Sequence, residues 1–126
     1  MSRTFISRLA AKGSGPRLAV KDCIDVVGVP STAGSRVLAE QARPAAADAA
    51  CLAGARAAGV RIVGKTNLHE LCFGATGVNP WFGTPRNPLD AACIPGGSSS
   101  GSAVAVATDE ADIALGTDTA GSIRNP

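Results

Sequence analysis

The stretch Pro44-Ala45-Ala46-Ala47-Asp48-Ala49-Ala50-Cys51-Leu52-Ala53-Gly54-Ala55-Arg56-Ala57-Ala58-Gly59-Val60-Arg61-Ile62-Val63 changes character at Gly59. Alanine is the strongest helix former, proline suits a helix start and glycine commonly ends one, so a helix is expected over Ala45 to Ala58. The segment Val60 to Val63 is β-branched apart from Arg61, which predicts a buried strand. Upstream, Leu18-Ala19-Val20 reads as a short strand, and Cys23 to Val29 as a second extended stretch turned by Gly28 and Pro30. Strand, helix, strand in that order is the pattern of a parallel crossover and places the chain in the α/β class.

Composition agrees with that class. Hydrophobic residues make up 45% of the 126 and aromatics only 3%, so Ala, Val, Leu and Ile supply the apolar bulk that packs helices on strands. A net charge of +2, with scattered arginines and lysines, lacks the basic stripe of a nucleic-acid binder. No run of about 18 apolar residues is present, so no spanning helix is expected. The cysteines at 23, 51, 72 and 93 have no C-x-x-C spacing, and His69 is the only histidine. They read as free thiols in a reducing cytoplasm rather than as metal ligands, and neither metal nor cofactor is expected.

The remaining segments complete the coarse map. Residues 1–17 read as a leader or a trimmed first element, too short and too broken by glycine and proline for a transit peptide. Thr66 to Cys72 is expected to begin a helix, with Asn67 as its cap and Glu70 completing a capping box. Four prolines between Gly77 and Pro95 exclude regular structure there. Pro95-Gly96-Gly97-Ser98-Ser99-Ser100-Gly101-Ser102 runs into a small-residue helix, Ala103 to Ala107. Ile113-Ala114-Leu115 is an expected strand, and a tight loop follows to Pro126. Gly59 to Thr66 fits the phosphate-loop pattern G-x-x-x-x-G-K-T, but its middle residues Val-Arg-Ile-Val form a strand rather than a cradle, and it follows a helix instead of a strand.

Two small-residue loops carry the chemistry: Gly96-Gly97-Ser98-Ser99-Ser100-Gly101, and Gly116-Thr117-Asp118-Thr119-Ala120-Gly121-Ser122-Ile123-Arg124. Small residues before a serine let backbone N–H groups approach a ligand, as an oxyanion pocket requires. A serine hydroxyl needs a base within hydrogen-bond reach. Spacing leaves two choices open, His69 in a Ser–His–Asp arrangement or a lysine whose pKa is lowered by burial, best placed at Lys21 after its apolar strand.

These two loops, with Lys21-Asp22 after an apolar strand and Gly64-Lys65-Thr66-Asn67, resemble the amidase signature family. The motifs stand in the family's order over residues 18–126, and Ser98 and Ser122 are 24 residues apart, as in the family. The resemblance implies the N-terminal part of an amidase catalytic domain over 18–126, a mixed β-sheet flanked by helices and incomplete in this chain. It implies Ser122 as nucleophile, Ser98 after a cis peptide as proton relay, and Lys21 as base. Backbone N–H groups of Thr119, Ala120, Gly121 and Ser122 would bind the oxyanion. Arg124 would contact a substrate carboxylate or form a structural ion pair. Asp22 and Asp118 are expected to brace loops, Ser99 and Ser100 to cap the following helix, and His69 to be scaffold. Ala120 stands where glycine is most common in the family, and Cys23 where a polar residue is common.

The implied activity is hydrolysis of a small-molecule amide through an acyl-enzyme. Asn67-Leu68-His69-Glu70-Leu71 looks more like the general amidases than like the subunit that transamidates charged tRNA, which is the alternative. A homodimer or a complementing second chain are the assemblies expected. Because family members run to several hundred residues, a third reading is an inactive remnant, and the 126 residues alone are expected to be inactive or poorly folded.

Overall fold

The computed structural model describes residues 3–126. A four-stranded mixed sheet organises them: β1 (Phe5–Arg8), β2 (Arg17–Lys21), β3 (Arg61–Thr66) and β4 (Ile113–Leu115), in the order β1-β3-β2-β4. The strands β3 and β4 both run parallel to β2, while β1 lies antiparallel on β3. The α/β class, the mixed sheet and the crossover from β2 to β3 are therefore present. The predicted strands at Leu18–Val20, Val60–Val63 and Ile113–Leu115 are found within a residue or three of their expected bounds. The edge strand β1 lies within the segment read as leader or first element.

Strand alternation divides the core between the two faces of the sheet. Leu18 and Val20 point to one face and pack with Ile24, Val26, Leu52 and Ile62. Ala19 points to the other and packs with Ala105 and Ala111 beneath α3 (Ser100–Ala107), flanked by Phe5, Val63 and Ala114. The register between β2 and β3 slips by one residue at Val63: Leu18 pairs with Ile62, but Ala19 pairs with Gly64. This bulge changes the parity of everything beyond it. Lys65 is thereby set opposite Val20 and Thr66 opposite Lys21. Thr66 accordingly meets α3, its hydroxyl 2.8 Å from that of Ser102. Lys65 is fully buried on the opposite face, where Nζ lies 3.0 Å from Asp22 Oδ1 and donates to Ser31 Oγ at 2.7 Å. An in-strand, ion-paired lysine is no phosphate ligand, in keeping with the rejection of the phosphate-loop pattern.

Three expected elements differ. The Ala45–Ala58 helix is reduced to a 3-10 turn, Ala50–Leu52, and a short α2, Ala53–Ala57. Its first half is bonded elsewhere. Gly28 N donates to Ala45 O, Ala45 N to Val29 O and Ala49 N to Asp25 O, while Asp48 accepts from Val27 N. Those bonds hold the alanines extended, so tertiary pairing overrides intrinsic propensity. They also make the 23–29 stretch a pair of turns joined by a Val26–Val29 bridge rather than a strand. The helix expected from Thr66 to Cys72 is absent. The Asn67 amide bonds outward to Arg3 O and Gly83 O instead of capping, and Glu70–Cys72 forms one turn with Leu71 and Cys72 at φ of +55° and +59°. An exposed helix, α1 (Arg36–Gln41), was not expected; it carries an Arg36–Glu40 pair one turn apart and buries no residue. No helix among the described residues is long and apolar enough to cross a membrane.

The helix α3 reaches its place through Gly101. A Cβ there would lie 2.4 Å from Thr4 O and 2.6 Å from Asn67 N, so backbone packs directly on backbone. Gly101→Ala is expected to destabilise the protein by about 1–3 kcal/mol, the usual cost of overpacking, read as a lower urea midpoint at unchanged slope. Lys65→Met, which strands the buried Asp22 carboxylate, is expected to cost about 3–5 kcal/mol in the same assay. The double variant Lys65→Met/Asp22→Leu should recover much of that loss. An unaltered midpoint in the Lys65 variant would contradict the ion pair's assigned weight.

Candidate active site

Because β2, β3 and β4 are mutually parallel through β2, their carboxyl ends share one edge of the sheet, the edge where α/β proteins place ligands. Lys21 ends β2, Thr66 ends β3, and Gly116-Thr117 follows β4. The start of α3 brings Ser98, Ser99 and Ser100 to the same place, all buried.

Lys21 is 0% exposed. Its Nζ donates to Ser98 Oγ at 2.7 Å, Thr117 Oγ1 at 2.8 Å and Ser99 Oγ at 2.9 Å. An ammonium has three hydrogens, and three hydroxyl oxygens receive them. Among the described residues no carboxylate lies within ion-pair distance of Lys21, in contrast to Lys65. Burial therefore pushes the Lys21 pKa below its ordinary 10.5, opposed by Cys72, Cys23 and Asp118.

The hydroxyls around Lys21 are not equivalent. Ser99 Oγ donates its proton to Thr117 O at 3.2 Å, so toward Lys21 it only accepts. Ser99 is thus a lysine partner and not the helix cap expected of it; it occupies the cap position without a capping hydrogen bond. Ser100 does not cap either, since its buried Oγ has no partner among the described residues. Ser98, preceded by a cis peptide after Gly97, is held through its carbonyl, which accepts from His69 N at 3.1 Å.

Asp118 organises the loop that carries Ser122. Its carboxylate accepts from Gly121 N at 2.8 Å, Ile123 N at 3.1 Å, and Arg124 Nε and Nη2 at 3.0 and 2.9 Å. The Arg124 guanidinium, and then the Ile123 and Gly121 N–H groups, hold this carboxyl well below the usual carboxylate range. Arg124 is engaged inside its own loop, with its side chain 73% exposed. The loop is tied to α3 where Ser99 N donates to Ser122 O at 3.0 Å. Gly116 passes so close to Ser99 that a Cβ would lie 2.7 Å from its Oγ.

Ser122 lines a cavity of about 590 Å³ together with Thr117, Thr119, Ala120 and Cys72. Among the described residues no hydrogen bond joins the Ser122 hydroxyl to Ser98 or Lys21, so Lys21 and Ser98 are in contact while Ser122 stands apart on its loop. Of the four backbone N–H groups in question, that of Gly121 is donated to Asp118. Those of Thr119, Ala120 and Ser122 have no acceptor among the described residues. The His69 ring pairs with Thr76 through Nδ1 at 3.1 Å and bonds neither serine hydroxyl among the described residues. Thr117 and Cys72 were not singled out as site residues. Thr117 stood within the quoted glycine-rich loop, but no sequence signal marked Cys72, which reaches the site through the left-handed turn at Leu71 and Cys72.

Comparison with known proteins gives the family to which this chain belongs. The chain is 49% identical over 97% of its length to a glutamyl-tRNA(Gln) amidotransferase subunit from Halobacterium salinarum, of which it spans 30%. It superposes on the corresponding glutamyl-tRNA(Gln) amidotransferase subunit from Thermotoga maritima with a TM-score of 0.88 and 36% identity, covering 99% of this chain and 29% of that one. On 6-aminohexanoate cyclic dimer hydrolase the TM-score is 0.89 at 32% identity, covering 98% of this chain and 28% of that one. With the Amidase family model matching residues 14–126 as well, the chain belongs to the amidase family.

Proposed function

We propose that these residues form the acylating centre of an amide-bond hydrolase. The observation that carries this reading is Lys21: fully buried, without a carboxylate partner, and 2.7 Å from Ser98 Oγ. A lysine so placed gives up its proton more readily than one in water, and the neutral amine is a base. Once it is neutral, its lone pair accepts from the Ser98 hydroxyl, because the Ser99 proton is engaged by Thr117 O.

In the proposed sequence, Ser122 Oγ attacks the amide carbonyl while its proton passes to Ser98 and the Ser98 proton to Lys21. Catalytic hydrogen bonds commonly tighten only with substrate bound, so the open Ser122–Ser98 step is compatible with the apo geometry. The N–H groups of Thr119, Ala120 and Ser122 receive the developing oxyanion, with Gly121 shaping the loop through its bond to Asp118. The C–N bond then breaks, the amine leaves with the proton returned through Ser98, and water hydrolyses the acyl-Ser122 ester by the same relay. Arg124, already paired with Asp118, holds this loop, and its exposed guanidinium also faces any anionic end of a substrate. No step calls on a cofactor or metal, and the substrate class is a small-molecule amide.

A second reading has its own support in the 49% identity to the Halobacterium protein, whose name is that of an amidotransferase component. Here the same centre would release an amide nitrogen for a second, complementing chain acting on glutamyl-tRNA. Amide turnover that rises when partner subunits and glutamyl-tRNA are added would favour it; turnover indifferent to both would favour the free-standing amidase.

Ser122→Ala and Lys21→Ala are each expected to lower hydrolysis of a simple aryl amide by on the order of 10⁴-fold or more, measured by aryl-amine release. Turnover at the wild-type rate in either variant would sink the assignment. The ascending limb of kcat/KM against pH should have its midpoint below 10.5, since Lys21 must be neutral and burial lowers its pKa. The titratable groups facing Lys21 are Cys72, Cys23 and Asp118, all of which raise its pKa. Cys72→Ala removes one of them and should move the limb to still lower pH. A midpoint at or above 10.5 in the wild type would speak against Lys21 as the base.

A further inference from the structure

The mechanism uses hydroxyls and an amine, yet two thiols stand against the same lysine. Cys23 lies two residues beyond Lys21, and its Sγ is 3.8 Å from Thr117 Oγ1, the hydroxyl that receives Lys21 Nζ. Cys72 comes from the other side of the site. It lines the 590 Å³ cavity with Thr117 and Ser122, brought there by the turn in which both Leu71 and Cys72 take left-handed backbone angles. That turn is fixed by Leu71 N donating to Ala33 O at 2.8 Å and Cys72 N to His69 O at 2.9 Å. The two thiols adjoin the same Thr117 hydroxyl and cavity, each is the largest influence on the other's ionisation, and each retains partial exposure. Cys51 and Cys93, by contrast, are exposed and share no such neighbour.

We propose that Cys72 and Cys23 form a dithiol that hydroperoxides oxidise to a disulfide, closing the Ser122 cavity beside Lys21. The blockade rests on the hydrolase reading, whereas the dithiol chemistry does not. The division of labour follows from the environments. Cys72 is drawn down to about 6, chiefly by the hydrogen bond from Cys23, with Lys21 adding to it. Cys23 is pushed well up by the same pairing and by burial, so it keeps its proton and donates it. A thiolate open to a cavity and beside a protonated thiol is the arrangement of an attacking and a resolving cysteine.

The chemistry balances. The Cys72 thiolate attacks the terminal peroxide oxygen; the O–O bond breaks, an S–O bond forms, and the alkoxide or hydroxide takes a proton from water. Cys23 Sγ then attacks the Cys72 sulfur. The S–S bond forms as the S–O bond breaks, and hydroxide leaves with the Cys23 proton as water. Two electrons pass from the thiols to the peroxide, and a dithiol reductant reverses the change. In the oxidised form the Cys72 charge next to Lys21 is gone and the cavity wall is cross-linked to the strand end that carries the base.

The test treats the wild-type protein with hydrogen peroxide, alkylates the remaining thiols and maps peptides without reduction. The expected result is a Cys23–Cys72 linked peptide, a mass lower by two hydrogen atoms, and full alkylation of Cys51 and Cys93. In Cys23→Ser the linkage should vanish and Cys72 should be trapped by dimedone as a sulfenic acid. Recovery of Cys23 and Cys72 both alkylated, or linkage through Cys51 or Cys93, would overturn the proposal, and this map needs neither a variant nor any turnover. Aryl-amide hydrolysis should fall at least tenfold on oxidation and return with dithiothreitol. A linked protein that keeps full turnover would overturn the blockade, while a protein inactive even when reduced would count against the hydrolase reading and leave the peptide map to decide the dithiol.

Discussion

A buried lysine with no carboxylate partner among the described residues ties this structure together. Lys21 ends the central strand β2, and the three oxygens that receive its hydrogens come from the entry to α3 and from the loop after β4. Removing an ammonium from water is expensive unless every hydrogen finds an acceptor, so those segments must arrive together for Lys21 to be buried at all. The parallel pairing of β2 with β4 delivers the Thr117 loop to the same edge, and the close approach at Gly101 seats α3 over it. The polar centre is thus as much a packing constraint as a chemical one.

The contrast with Lys65 shows how differently two buried lysines are compensated. Both are fully buried, and they lie on adjacent rungs of the same ladder. Lys65 faces the Asp22 carboxylate and Ser31, which compensate its burial. Lys21 donates to uncharged hydroxyls and has no carboxylate within ion-pair distance among the described residues, so desolvation is the largest influence and lowers its proton affinity. The one-residue bulge at Val63 makes this division by sending Lys65 to one face and Thr66 to the other.

The Ser122 loop obeys a different logic. Asp118 draws Gly121 N, Ile123 N and the Arg124 guanidinium onto one carboxylate, while the N–H groups of Thr119, Ala120 and Ser122 have no acceptor among the described residues. Most of this loop is exposed, and it is tied to the core at Thr117, by Lys21 and Ser99, and at the Ser99–Ser122 backbone bond. Precision at Ser122 therefore depends on a local carboxylate clamp more than on burial.

Sequence order carried much of this. The apolar Leu18–Val20 and Ile62–Val63 segments, separated by an alanine-rich stretch, were enough for the α/β class and the crossover, because alternation and branching at Cβ are local properties. Lys21, Ser98 and Ser122 stood out as a set by motif order, and Asp22 and Asp118 as loop braces by residue type. The helix over Ala45–Ala49 failed because those backbone groups bond across to residues 25–29, a long-range choice that propensity does not encode. Ser99 looked like a cap for the same local reason and was drawn away by Lys21 and Thr117, which lie 78 and 18 residues distant in the chain. Cys72 bore no local sign at all. What the sequence determined by itself was the strand pattern and the set of candidate site residues. Which hydroxyls surround Lys21, which lysine lacks a carboxylate partner, and which thiols face it were decided only by tertiary structure, since each depends on segments far apart in sequence meeting at one edge of one sheet.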